Sequence, residues 1–324
     1  MDSTAAHPAP LSSRWPDLAK LDVESAQRCI PFKRGPRAQW LRCEGPAVAR
    51  FVSWLHFHWP SARGQWRLMR TLAANESIHR RLRDVPFRSE SGVRVRLDIA
   101  SDAFLFLSGR LAPEPVEVEL ASRLVQPGDL FIDVGAHCGL YLLHVWSRLG
   151  PGGLYYALEP SPDTFRFLSA SYDARDPTLR LVEAAASDRD GEAHLVASGD
   201  VADRVSREGG GTVVKTVRLD TLLGDEARAA RRVFIKVDTE GHEACVIRGC
   251  AGLAAAGVRP ILMIEFLREM FGQTREDVLR AIEETFGPVY DFWAIDADTG
   301  ALTAFTATAE LTGEIRNMIA VPRT

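Results

Sequence analysis

Acidic side chains close five short apolar runs of this chain: Asp133, Glu159, Asp188 after Ser187, Asp238 with Glu240, and Glu265. Carboxylates gathered at one edge can accept hydrogen bonds from hydroxyls, neutralise a cation, or take the proton of an attacking alcohol. Any one of them would serve equally as the N-cap of a following helix. Their recurrence at successive run ends is what points to a site.

The first acid lies between Gly128 and Tyr141, in Gly-Asp-Leu-Phe-Ile-Asp-Val-Gly-Ala-His-Cys-Gly-Leu-Tyr. The pattern reads as a buried strand over 130–134, a glycine turn and the start of a helix. Gly135 and Gly139 let backbone approach a ligand, and the helix start aims unpaired N–H groups at the same spot. A dinucleotide fingerprint would place glycine where His137 stands. Asp133 would also repel a pyrophosphate, whereas it suits a cation such as the sulfonium and amino-acid end of S-adenosyl-L-methionine. Cofactor contacts are therefore expected from Asp133, Gly135, His137, Gly139 and Tyr141. Glu159 is placed to accept both ribose hydroxyls, a role that nicotinamide enzymes share. Ser187 and Asp188 are candidates for reading the adenine, although Ala186 to Gly191 is also a good turn.

Asp238 and Glu240 follow a further apolar run and are expected beside the transferred methyl, Asp238 also touching the cofactor. Either could be the base for an attacking hydroxyl; His242, with an unperturbed pKa near neutrality, is the other candidate. Asp238, Glu240 and Glu265 could instead converge on a divalent metal, magnesium being the ion that hard oxygen ligands suit. Lys236 reads first as the partner of one of these carboxylates and second, with Glu265, as a substrate contact.

The elements that must position these residues alternate. Strands are expected at Leu154–Leu158, Leu179–Glu183, Val233–Val237, Ile261–Ile264, Val289–Ala294 and Ile315–Ala320, with helices between them, so the sheet is mostly parallel. Glu192–Ala197 and Thr212–Val217 alternate as an inserted antiparallel pair, and Gly92–Leu107 as a hairpin. Upstream, Pro46–Trp59 and Gln65–Leu82 repeat apolar positions at helical spacing, with arginines between. Three regions result: a disordered leader over 1–14, a basic, aromatic-rich helical extension over 15–91, and an α/β domain over 92–324.

Net charge is −4, yet between Arg28 and Arg96 Lys and Arg far outnumber Asp and Glu, so the remainder carries the negative excess. Such asymmetry marks a surface for an anionic partner; the alternative is that the aromatic face packs on the main domain while the arginines stay solvated. The five cysteines show no zinc spacing and fit reduced thiols. No secretory signal or bilayer-length apolar run is visible, which makes the cytoplasm the default compartment and a membrane span unexpected.

Asp133-Val-Gly-Ala-His-Cys-Gly139, Glu159-Pro160, Leu219-Asp220, Ile235-Lys-Val-Asp-Thr-Glu-Gly-His-Glu243, Pro260 and Ile264-Glu265 together resemble the FkbM family of methyltransferases over about residues 92–294. His137 stands where that family usually has Asn, and His242 where Ala is common. The resemblance implies a Rossmann-like class I fold, a seven-stranded mostly parallel sheet with an antiparallel last strand, carrying here an N-terminal helical extension. It implies S-adenosyl-L-methionine as cofactor and O-methylation of a hydroxyl on a small molecule: a sugar, polyketide or other secondary metabolite. Acceptor specificity is expected from the N-terminal helices, the 198–211 insertion and the segment after Glu265, where Phe266, Met270 and Phe271 could line an apolar site or be ordinary core. The competing readings are a nucleic-acid methyltransferase, which the acidic loop after Val237 disfavours, a nicotinamide oxidoreductase, and an inactive scaffold. Oligomeric state stays open, a homodimer among the options.

Overall fold

The computed structural model describes residues 41–58, 71, 75–89, 94–97, 115–172, 176–197, 203–206, 209–265, 269–270, 272–296, 302–306 and 317–323. It opens with β1 (Leu41–Cys43), α1 (Ala47–His58), α2 (Glu76–Leu82), β2 (Val85–Ser89) and β3 (Arg94–Leu97). Next come α3 (Pro115–Leu124), β4 (Leu130–Val134), α4 (Leu140–Leu149), β5 (Leu154–Leu158), α5 (Pro162–Ser171) and β6 (Leu179–Val182). β7 (Ala185–Ala186), β8 (Gly191–Ala197), β9 (Asp203–Ser206) and β10 (Thr212–Val217) precede α6 (Leu219–Ala229), β11 (Val233–Val237), α7 (Glu243–Arg248), α8 (Ala251–Ala255) and β12 (Ile261–Glu265). The chain closes with β13 (Glu269–Met270), β14 (Gln273–Thr274), α9 (Arg275–Phe286), β15 (Tyr290–Ile295), β16 (Leu302–Phe305) and β17 (Asn317–Pro322).

Eight strands form the main sheet in the order β16-β15-β17-β12-β11-β4-β5-β6. β6, β5, β4, β11 and β12 are mutually parallel, and β17 lies antiparallel between β12 and β15. The seven expected strands and the antiparallel last one are present; β16 adds an eighth at the edge beside β15. The chain runs outward from β4 to β6 and then returns to β11, so the order reverses between β4 and β11. That reversal is where an open α/β sheet takes its ligand.

β4 and β11 are buried along their whole length because both faces are covered. Phe131, Phe234 and Met263 face a layer made by α3, α4, α5 and the N-terminal elements. Leu130, Ile132, Val134 and Ile235 face α6 to α9. Two-sided burial is why these strands read as unbroken apolar runs rather than alternating ones.

Upstream of α3 the described extension holds strands as well as helices. β2 pairs antiparallel with both β1 and β3, and Leu82, Val85, Phe87, Val95 and Leu97 join the first core layer. Arg96 N–H donates to Ser171 Oγ at 2.8 Å, tying β3 to the end of α5. The partner of β3 is thus the upstream β2; residues 92–93 and 98–107 of the expected hairpin lie outside the described residues, as do the 1–14 leader and half of the Gln65–Leu82 helix. β8 and β10 pair antiparallel as expected, and β7 and β9 extend them to a four-stranded sheet. α6 was not expected: Leu219, Leu223 and Ala227 form its buried stripe, and Gly224, at φ 39°, kinks it.

At the far end of the sheet, Arg232 donates to Asp129 at 2.6 Å and to the carbonyl of Leu124 at 2.7 Å, clamping the starts of β4 and β11. Both side chains are nearly inaccessible, at 2% and 1%. Asp129→Ala strands a buried guanidinium and is expected to cost roughly 3–5 kcal/mol in urea unfolding. Asp225→Ala, which removes an exposed partner of Arg228, should cost less than about 1 kcal/mol. Equal costs at the two positions would contradict this account.

Candidate active site

Lys236 sits at the centre of the site. Its ammonium lies 3.3 Å from Asp133 Oδ1 and 3.4 Å from Asp238 Oδ2, and donates to the carbonyl of Gly135 at 3.1 Å. The Tyr141 ring lies 4.9 Å below it, a cation–π distance. Lys236 pairs with Asp133 across β11 and β4 in register, which is what brings a lysine and an aspartate distant in sequence together. Pairing with a carboxylate, the first reading of Lys236, is what the structure has, twice over. Asp133 is buried within this cluster and also accepts from Leu142 N–H at 3.3 Å. Burial pushes its carboxyl up and Lys236 pulls it back, burial being the larger effect.

The glycine turn is shaped by what crosses it. Gly135 has φ 72°, and a Cβ there would collide with the carbonyl oxygen of Asp238. Gly139 has φ 82°, and a Cβ would strike Leu168 and Tyr172, whose hydroxyl donates to the Gly139 carbonyl at 2.6 Å. His137 is left-handed too, with φ 52°, a conformation that Asn and His tolerate better than most side chains. Its N–H donates to Glu159 Oε2 at 2.9 Å, while Ser161 N–H donates to Oε1 at 2.9 Å. Glu159 therefore lies beside the turn at the end of β5, each oxygen accepting from a backbone N–H.

Beyond β11 the backbone folds into a tight loop. Glu240 adopts φ 54° and Gly241 φ 93°. Glu243, 2% exposed in the first turn of α7, accepts from Thr239 N–H at 2.8 Å, Thr239 Oγ1 at 2.9 Å and Gly241 N–H at 3.2 Å. Gln273 donates to its other oxygen and accepts from Ala244 N–H at 2.8 Å. A left-handed glutamate costs on the order of 1 kcal/mol and persists only where its surroundings hold it. Glu243 and Gln273 do so, and neither was assigned a role from sequence. The signal was there in Glu243, an acid in the first helical turn directly after a glycine loop.

This loop brings Asp238, Glu240 and Glu265 together, one carboxylate oxygen from each lying within 4.8 Å of the others. Such crowding, with burial as the largest cause and Asp238, Glu240 and Glu243 next, pushes the Glu265 carboxyl up to about 11. Burial and the neighbouring carboxylates thus favour the protonated form of Glu265 beside Asp238. His242 is directed elsewhere: its Nε2 lies 3.0 Å from Ser187 Oγ, which in turn lies 3.3 Å from Asp188. The expected residues accordingly fall into three groups: Asp133, Gly135, Tyr141 and Lys236 with the carboxylate trio; Glu159 with His137 and Gly139; and Ser187, Asp188 and His242. Of the aromatic acceptor candidates, Phe266 and Phe271 lie outside the described residues.

An open, mostly parallel sheet with carboxylates at its carboxyl ends and an antiparallel last strand is the Rossmann-like class I architecture. The chain matches the methyltransferase FkbM domain over residues 133–318 and belongs to that family. Solved structures it is similar to include a geranyl diphosphate methyltransferase in complex with SAM (13% identity, TM-score 0.40, 70% of this chain and 91% of that one). Another is a SAM-dependent O-methyltransferase from Thermotoga maritima (12% identity, TM-score 0.36, 74% and 78%). A third is a precorrin-6y C5,15-methyltransferase from Geobacter metallireducens (14% identity, TM-score 0.36, 66% and 89%). No curated protein sequence matches.

The Glu265 proton has a consequence for stability. Its carboxyl titrates near 4.5 in the unfolded chain and far higher in the fold, so its stabilising contribution is full below pH 4.5 and is lost as pH rises. Glu265→Gln, which cannot ionise, should match the native protein near pH 4 and exceed its Tm by at least about 2 °C at pH 8. A difference that does not grow with pH would contradict the assignment.

Proposed function

We propose that this methyltransferase transfers a methyl group to a hydroxyl oxygen of a small, uncharged acceptor, with S-adenosylmethionine lying across the ends of β4, β5 and β11. The observation that carries the reading is the carboxylate trio of Asp238, Glu240 and Glu265, set beside the glycine turn that Asp133 and Lys236 hold in place. When bound, the cofactor supplies an activated methyl on a positively charged sulfur. The chain's residues must then orient the acceptor, exclude water and take a proton. Orientation alone can supply several kcal/mol, up to roughly 7–11 in the best intramolecular systems.

Glu159 is the residue for the ribose hydroxyls, since its carboxylate stands at the end of β5, fixed there by His137 N–H and Ser161 N–H. Ser187 and Asp188 suit the adenine end. In this reading Asp238, backed by Lys236, would take the acceptor's hydroxyl proton, and the bound donor would supply the methyl and leave as the neutral thioether. The protonated Glu265 donates a hydrogen bond and Glu240 fixes the acceptor's orientation. His242, held by Ser187, is then a support of the adenine side rather than the base. A phosphodiester acceptor would be repelled by this trio, so a nucleic acid fits poorly.

The same three oxygens would suit a hard divalent cation such as magnesium, held by Asp238, Glu240 and Glu265, which would polarise the acceptor oxygen in place of a base. The cytoplasm remains its expected compartment, and among the described residues Cys43, Cys138, Cys245 and Cys250 are free thiols. Among those residues, too, no helix is long and apolar enough to cross a membrane.

The test is transfer of a radiolabelled methyl group to a panel of sugars, macrolide alcohols and their amine analogues. Asp238→Asn and Glu240→Gln should lower turnover by about 100-fold or more with cofactor affinity changed less than about threefold. Labelling of amines but not alcohols would overturn the reading. Loss of activity on adding a chelator, restored by magnesium, would favour the metal over the side-chain base.

A further inference from the structure

We propose that α1 is a docking element for an anionic lipid surface, independent of what the active site methylates. The helix has two distinct faces. Ala49, Val52 and Ser53 are buried against the core, at 0%, 5% and 4% exposure. The opposite stripe, Ala47, Arg50, Phe51 and Trp54, recurs at helical spacing and points outward. On a helix that has already buried one face, the outer stripe should be polar. Here Phe51 and Trp54 are 59% and 53% exposed, their rings stacked with centroids 6.2 Å apart.

The surroundings say what kind of surface these rings meet. Arg50 shares their stripe, Arg42 is exposed nearby, and α2, which packs on α1, exposes Arg80, Arg81 and Arg83. Of the nearby acids, Glu44 pairs with Arg88 at 2.6 Å and Arg94 at 3.0 Å and Asp84 with Arg96, while Asp163 takes Arg83 at 3.1 Å; Arg42, Arg50, Arg80 and Arg81 then outweigh the exposed Glu76 of α2. The chain's positive excess is thus concentrated at this end while its net charge is −4, a polarity that turns α1 toward an anionic plane. Aromatic rings at the headgroup boundary with arginines reaching the phosphates is how an interfacial helix binds. At 12 residues α1 is long enough to lie in that boundary and too short to span it.

Two other occupants fit less well. A second copy would set one basic patch against another. A single-stranded nucleic acid needs open ring faces for its bases, and Phe51 and Trp54 already cover one face of each other, at 23°.

The experiment is co-sedimentation of the full chain with phosphatidylcholine vesicles, with and without about one third phosphatidylglycerol, at about 0.1 M and about 1 M salt. Binding is expected to the anionic vesicles at low salt and to fall at high salt. Phe51→Ser with Trp54→Ser should weaken it by about tenfold or more, and Arg50→Glu should weaken it too. S-adenosylmethionine affinity of the double variant should equal that of the native protein, showing that the fold is intact. The proposal is overturned if anionic vesicles do not bind, or if the double variant binds them equally. It is also overturned if the aromatic pair instead supports binding to a polyuridine strand or a dimer in light scattering.

Discussion

One buried ammonium holds the two central strand ends in a fixed relation. Lys236 is 4% exposed and lies between the buried Asp133 and the partly exposed Asp238, so the ammonium is paired at the rim of the core. Removing any partner from such a group leaves an uncompensated charge at a cost of several kcal/mol, whereas the intact set roughly balances its own desolvation. What the set contributes is therefore placement more than stability. The Gly135 carbonyl accepts from the same ammonium, and the Asp238 carbonyl fills the space where Gly135 would carry a side chain. The glycine turn after β4 and the acidic loop after β11 are consequently one built object.

Strand register extends this object sideways. In parallel pairing Lys236 stands beside Asp133 and Val237 beside Ile264, which sets Asp238 next to Glu265; Glu265 in turn faces Asn317 of the antiparallel last strand. A one-residue slip in any of these ladders would turn its side chains to the other face. Both faces are sealed by separate core layers, so the register is strongly specified by packing far from the chemistry. The strained loop at Glu240 then depends on Glu243 of α7, which accepts from its backbone N–H groups, and on Gln273 of β14, which holds Glu243.

The parts of this arrangement legible in the sequence are those with local signatures. β4, β5, β11 and β12 are apolar runs ended by an acid, and Thr274 caps α9 through a capping box with Asp277, a local signature of a helix start. Asp133, Glu159, Asp238, Glu240 and Glu265 were read from their position after strands, and the structure sets them at one edge. The β1–β2–β3 sheet was not legible because its strands are three to five residues long, arginine-rich, and interrupted by Pro86. Gly224 hid α6. The dual pairing of Lys236 and the direction of His242 toward Ser187 depend on residues remote in sequence, which only the folded register brings together.

The central claim is that this edge of the sheet receives a cationic methyl donor with its ribose at Glu159. Calorimetric titration of the full chain with S-adenosylmethionine, and with its demethylated product, tests it most directly. The account predicts saturable binding of both with Kd below about 1 mM, and loss of binding in Glu159→Ala. No heat from either ligand at millimolar concentration, or unchanged affinity in that variant, would contradict it.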